Sequence, residues 1–255
     1  MSTIRWLAAG TAVDGFPPPE EALDEPNGLL AAGGDLAPER LLLAYRSGIF
    51  PWYEAGQPIL WWSPNPRAVL RPAELRVSRS LRRTLAKQPF RVTADAAFER
   101  VLAACAAPRR YTDATWITDE MAAAYTELHR QRWAHSFEAW HGDELVGGLY
   151  GVAIGRVFFG ESMFSRRTDA SKVAFVHAVR YLQASSFELI DCQVTSAHLS
   201  SLGARDWPRA EFVARLHKLC RAAEPAGPWR RKFDAWARNS ASAEGPRAAG
   251  RSCGS

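Results

Sequence analysis

Cysteine is sparse. Cys105, Cys192, Cys220 and Cys253 lie far apart and share neither metal-ligand nor redox spacing, so no zinc site is expected and the chain reads as a reduced, cytoplasmic protein. Long apolar runs are also missing. Nothing approaches the roughly 18 apolar residues of a membrane span, which excludes a transmembrane helix. The N-terminus lacks a basic flank followed by an apolar core, so no signal peptide is expected. No internal repeat is visible.

What is present is an ordinary globular composition, 47% apolar and 23% charged over 255 residues, enough for one large domain or two small ones. The net charge of +5 is unevenly spread. Residues 14–50 carry seven acids and two arginines, whereas residues 67–91 carry eight basic residues and the single acid Glu74. That asymmetry predicts a localised positive face. Ten tryptophans are many for this length.

Residues 1–13 read as peripheral. Phe16-Pro17-Pro18-Pro19 cannot be helical throughout, because each proline fixes φ and disfavours helix in the residue before it. Pro38 opens a helix that Gly48 stops. The span 48–67, rich in proline and tryptophan, predicts a rigid aromatic surface loop. Its rings either seal a small N-terminal subdomain or stack on bases. Residues 77–87 predict a helix capped by Ser78. Leu81 and Leu85 lie on one side and Arg79, Arg82, Arg83 and Lys87 on the other, with no interspersed acid. Such a stripe is either a solvated face or a phosphate-contacting one. Further helices are expected over 95–106, after the cap Thr118, over 171–184, over 198–202 and over 208–220. Strands are expected over 135–140, 145–151, 152–164 (as a hairpin turning near Gly155) and 187–194. Gly147, Gly148 and Gly151 mark a bulge or a close backbone approach. Residues 240–255 read as a disordered tail.

Glu161 and Asp191 stand inside apolar, strand-like runs, where a lone carboxylate costs several kcal/mol unless it is paired or occupied. Strand alternation would put Asp191 on one face with Leu189 and Gln193, and Glu161 on one face with Phe159 and Met163. The order helix–hairpin–hairpin–helix–strand suits an N-acetyltransferase-type domain. The Gln/Arg-x-x-Gly-x-Gly/Ala loop that would hold coenzyme A is missing, and residues 165–171 stand in its place. A donor with a longer polyanion would suit the basic helix.

Five motifs run in order from about Phe16 to Leu216: Gly33-Gly34-Asp35-Leu36, Phe50-Pro51-Trp52, Trp61-Trp62-Ser63-Pro64, residues 160–165 and Ile190-Asp191-Cys192-Gln193. This set resembles the leucyl/phenylalanyl-tRNA–protein transferases. The resemblance implies an α+β architecture, with a small N-terminal α/β domain over 1–66 and a GNAT-like (acyl-CoA N-acyltransferase-like) domain over 67–239. It implies transfer of Leu or Phe from aminoacyl-tRNA to the α-amine of proteins beginning with Arg or Lys, marking them for N-degron proteolysis. The ester donor is already activated, so no metal and no cofactor is called for. In the implied mechanism Gln193 contacts the attacking amine, while Asp191 and Glu161 supply negative charge for the cationic acceptor. A relay through a ribose hydroxyl fits equally well. Leu149, Phe158, Met163 and Ile190 would form the Leu/Phe pocket, Trp52 and Trp116 match contacts to the terminal adenosine, and Arg79, Arg82, Arg83 and Lys87 would bind tRNA. The other readings of the same residues are a non-catalytic RNA- or peptide-binding protein and a CoA-dependent N-acyltransferase.

Overall fold

The computed structural model describes residues 4–10, 15–107, 117–221 and 227–243. Strands β1 (Arg5–Leu7) and β2 (Leu29–Gly33) pair in parallel, and β2 is buried along its whole length. Helix α1 (Pro38–Arg46) starts at a proline and ends before Gly48, whose φ of 78° is the left-handed stop expected of it. Strands β3 (Phe50–Pro51) and β4 (Leu60–Trp62) complete a four-stranded sheet of order β1-β2-β4-β3. Residues 5–7 thus supply an edge strand that local pattern does not announce, and the proline-rich span is partly sheet rather than all loop. Trp61, fully buried, donates its indole N–H to the Gly33 carbonyl at 2.9 Å.

The second sheet begins with β5 (Arg67–Leu70). Helix α2 (Arg79–Lys87) follows, and its Ser78 hydroxyl accepts the Leu81 N–H at 3.2 Å. Then come β6 (Arg91–Ala94), α3 (Phe98–Ala106), α4 (Asp119–Arg130), β7 (Ala134–His141), β8 (Glu144–Ile154) and β9 (Val157–Ser165). The chain ends with α5 (Ala170–Ala184), β10 (Leu189–Gln193), α6 (Ala197–Ser201), β11 (Arg205–Trp207), α7 (Arg209–Leu219) and α8 (Trp229–Ala243). Strand β6 was not expected; its φ of 51° at Asp95 ends the extended run and delays α3 by three residues. The expected tail over 240–255 is corrected in its first part, since α8 runs to Ala243; residues 244–255 lie outside the described residues.

This sheet has order β11-β5-β10-β9-β8-β7-β6 and is antiparallel except between β9 and β10. A parallel pair needs a crossover, and α5 provides it. One face of the sheet packs on α5, α8 and Leu81 of α2, the other on α1, α3, α4 and α7. The fold is the expected α+β one. Its β9–β10 pairing runs only from Leu189 opposite Val157 to Asp191 opposite Phe159. The candidate site lies at that end.

Candidate active site

Where β9 and β10 stop pairing, a pocket of about 240 Å³ opens between the two strand ends, β8, α5 and α6. Leu149, Phe158, Met163 and Ile190, the side chains expected to hold Leu or Phe, all line it, together with Glu161, Asp191 and Gln193. Phe175 of α5 and Leu199 of α6 extend the apolar wall. Sequence reasoning missed both, because each comes from a helix whose approach to the strands is not written in local pattern. Gln/Arg-x-x-Gly-x-Gly/Ala being absent, α5 starts instead at Asp169 in the left-handed region, φ 64°.

Two bulges set the polar groups. In β9 the register against β8 slips between Tyr150–Ser162 and Gly151–Gly160, leaving Glu161 as the extra residue. A Cβ at Gly151 would meet the Phe159 carbonyl oxygen at 2.2 Å, so the bulge needs glycine there. The slip also corrects the expected alternation: Phe159 packs in the core of α3 and α4, whereas Met163 packs on the α5 side. Glu161 therefore does not share a face with both. In β10 a second slip falls between Asp191 and Gln193, and Gln193 takes φ 61°. Simple alternation, and with it the shared face expected for Asp191 and Gln193, ends at that residue.

The two acids stand in different surroundings. Asp191 is fully buried and gripped by Arg67, Nε to Oδ1 at 2.8 Å and Nη2 to Oδ2 at 2.6 Å. The remaining Arg67 nitrogen, Nη1, donates to the Gly48 carbonyl at 3.1 Å, and the guanidinium lies 4.7 Å from the Phe50 and Phe212 ring centres alike. Asp191 Oδ1 also accepts the Gln193 backbone N–H at 2.9 Å, which holds the left-handed turn. The expected use of Asp191 as charge for a cationic acceptor is corrected: its charge is neutralised inside the protein. Arg67 is the main residue that sequence reasoning missed, and the only signal for it was a lone arginine opening an apolar strand.

Glu161 forms no ion pair among the described residues. Its Oε1 accepts from Gln193 Nε2 at 2.9 Å and its Oε2 from the Tyr125 hydroxyl at 2.8 Å, and that hydroxyl is hydrogen-bonded in turn to Tyr45. Burial pushes the Glu161 carboxyl up to about 7, against the two tyrosine hydrogen bonds that favour its ionised form. Burial also raises the Cys192 thiol well above its usual range. Three enclosed polar atoms at the pocket, Tyr150 Oη, Ser162 Oγ and His198 Nε2, have no hydrogen-bond partner among the described residues. Among the described residues no group of His, Cys, Asp or Glu could hold a metal ion, and no helix is long and apolar enough to cross a membrane.

Trp52 lies outside the pocket lining. It is 49% exposed, packs edge-on to Trp62 at 5.6 Å, and accepts the Trp62 indole N–H at its carbonyl, 2.7 Å away. Trp116 lies outside the described residues. Arg79, Arg82, Arg83 and Lys87 are all exposed on α2, and none forms an ion pair among the described residues.

Comparison with known proteins adds to this geometry. The profile of the leucyl/phenylalanyl-tRNA protein transferase family matches residues 69–217, and that of the family's N-terminal domain matches 34–65. A leucyl/phenylalanyl-tRNA–protein transferase of Nitrosomonas europaea is 62% identical over 216 residues, covering 85% of this chain and 90% of that protein. One from Pseudomonas putida is 61% identical over 213 residues, covering 84% and 93% respectively. Among solved structures, a GCN5-related N-acetyltransferase from Kribbella flavida is similar at a TM-score of 0.35 and 12% identity, covering 64% of this chain and 58% of that one.

Proposed function

Because this chain belongs to the leucyl/phenylalanyl-tRNA protein transferase family, we propose that the pocket at the parting of β9 and β10 is where the aminoacyl group changes hands. The protein is an aminoacyl-tRNA-dependent transferase that moves Leu or Phe onto protein N-termini. Leu149, Phe158, Met163 and Ile190 receive the Leu or Phe side chain; Met163 suits both shapes because its thioether adapts. The finer reading is that the acceptor begins with Arg or Lys, that the reaction is cytoplasmic, and that the product is marked for N-degron proteolysis. What supports a cationic acceptor is Glu161, a carboxylate at the pocket that forms no ion pair among the described residues.

In this reading the acceptor's α-ammonium, near its ordinary pKa of about 7.7–8.0, first releases a proton. The free amine attacks the ester carbonyl, a C–N bond forms, and the C–O bond to the ribose breaks. The second amine proton goes to the departing ribose oxygen. Gln193 donates through Nε2 to Glu161, so its Oε1 is left to accept an N–H of the incoming amine. Asp191, closed in the Arg67 fork, acts by fixing Gln193 rather than by taking the proton. That favours the route through the ribose hydroxyl. Trp52 and Trp116 are assigned to the terminal adenosine, and Arg79, Arg82, Arg83 and Lys87 to the tRNA backbone.

The deciding experiment supplies Leu-tRNA carrying labelled Leu and peptides beginning with Arg, Lys or Ala. Label is expected on the first two only. Label on none of them would overturn the reading, and equal label on all three would overturn the role of Glu161.

A further inference from the structure

Phe158 forms part of the aminoacyl pocket wall, and it is backed by a residue that never reaches the pocket. Its ring is hemmed in on several sides. Gly151 lies so close that a Cβ there would meet Phe158 Cζ at 2.7 Å. Phe137 of β7 stands edge-on to it, with ring centres 6.2 Å apart. Trp229, the first residue of α8, lies tilted against it at 6.0 Å. Phe158 lines the pocket with Leu149, Met163 and Ile190, whereas Trp229, only 2% exposed, does not. Trp229 therefore meets Phe158 from the side away from the pocket.

Trp229 is pinned where it stands. Its backbone N–H, one of those a helix start leaves without an internal partner, donates to Asp95 Oδ2 at 3.2 Å. The same carboxylate oxygen lies 2.8 Å from His135 Nδ1, and Asp95 Oδ1 accepts the Ser136 N–H at 3.0 Å. The His135 ring lies flat on the indole, centres 3.9 Å apart and planes within 5° of parallel. Tyr181 and Phe187 close in on the indole at 5.5 and 5.8 Å. A close-packed interior has little slack, so Phe158 cannot recede while the indole stays. The family profile of the catalytic domain ends at residue 217 and so assigns α8 no part in the site.

We propose that Trp229 is a positioning residue for donor specificity: by holding Phe158 forward it fixes the depth of the aminoacyl pocket, and so the preference between Leu and Phe. That assignment rests on the aminoacyl-tRNA reading above and deepens it. The two donor side chains differ mainly in reach. A back wall held forward touches the shorter Leu side chain closely and crowds the longer Phe ring. With a smaller side chain at position 229, Phe158 tips back into the freed space, because a core relaxes in part around a large-to-small change. Leu then loses contacts and Phe gains room. A change in fit of about one methylene in an apolar pocket discriminates by about 10–200-fold.

The test is a competition in one vessel between Leu-tRNA and Phe-tRNA, differently labelled, for a peptide beginning with Arg. Both donors meet the same enzyme, so the product ratio reports the ratio of their kcat/KM values and is blind to how much protein is folded. Trp229→Leu is expected to raise the Phe-to-Leu product ratio about tenfold over the wild type, and Trp229→Phe to raise it by a smaller factor. Phe233→Leu is the control. Phe233 is buried in the same cluster and meets the rings of Phe137, Tyr181 and Trp236, with no ring contact to Phe158 among the described residues. Its loss loosens α8 and should leave the ratio at the wild-type value. An unchanged ratio in the Trp229 variants would overturn the proposal. So would an equal shift in Phe233→Leu, which would trace the effect to a loosened helix and not to the contact with Phe158. Should Trp229→Leu fail to fold, Trp229→Phe decides by the same ratio. If the wild-type protein transfers from neither donor, it is the aminoacyl-tRNA reading that falls.

Discussion

Arg67 and Asp191, 124 residues apart in sequence, meet as a two-pronged ion pair closed to solvent, with nitrogen–oxygen distances of 2.8 and 2.6 Å. The pair does more than fill the core. Through its third hydrogen bond Asp191 holds the Gln193 backbone in the left-handed region, and Gln193 reaches Glu161. Arg67 also ties the Gly48 carbonyl to the second sheet, so one guanidinium joins both sheets and the pocket.

Arg67→Met should strand a buried carboxylate and cost about 3–5 kcal/mol of stability. Adding Asp191→Leu should restore much of that stability, because an apolar pair of similar volume removes the unpaired charge. Transfer activity should stay absent in the double variant, since nothing then anchors the Gln193 turn. Urea denaturation together with single-turnover transfer separates the two effects. Recovery of both stability and activity would make the pair merely structural.

The acceptor KM should fall as pH rises through about 7, the value to which burial lifts Glu161, because the ionised carboxylate is the form that holds a cation. Glu161→Gln should abolish that dependence and leave only the acceptor amine's own ionisation near about 7.7–8.0. Stability moves the other way. The folded value lies above the ordinary 4.5, so wild-type stability declines as pH rises from 4.5 through about 7. The Gln variant should therefore match the wild type below pH 4.5 and exceed it above pH 7, by something on the order of 1–3 kcal/mol. Thermal melts at both ends of that range check the sign.

Tyr125→Phe removes the hydroxyl that donates to Glu161 Oε2 at 2.8 Å and leaves the Tyr45 hydroxyl without this partner. A cost of about 1 kcal/mol is expected from the lost hydrogen bonds, since Tyr45 keeps Glu161 as a partner. Removing a hydrogen bond to the ionised form also raises the Glu161 carboxyl further. The pH midpoint of the acceptor KM should move up while the tRNA KM stays put. An unmoved midpoint would mean that Glu161 is not the group being titrated.

Replacing Arg79, Arg83 and Lys87 by Gln should weaken tRNA binding and flatten its salt dependence by about 0.7–0.9 for each phosphate no longer neutralised. These side chains are exposed, so the melting temperature should hold. An unchanged salt slope with weaker transfer would place the RNA elsewhere on the protein.

Local pattern carried a good part of the fold. Caps at Ser78 and Thr118, the stop at Gly48 and the turn at Gly142 sit where a reader of the chain would put them, because each depends on a few neighbouring residues. Helix α8 was legible too, though unread: Trp229, Phe233 and Trp236 recur at i, i+4 and i+7, and the first two are buried and Trp236 packs against the same core. The four-stranded sheet was hidden, since proline and glycine mask alternation in strands of two to five residues whose partners are non-local.

The chain by itself determined the α+β order, the basic helix and the two carboxylates in apolar, strand-like runs, because hydrophobic period and residue chemistry are written in one dimension. Only the tertiary structure decided what each carboxylate is bonded to. The register slips at Glu161 and Gln193 are relations between two strands, and the Arg67 fork reaches Asp191 from 124 residues earlier in the chain. Those long-range pairings neutralise Asp191 and leave Glu161 without an ion pair among the described residues, so two similar acids in similar apolar runs end in opposite electrostatic settings.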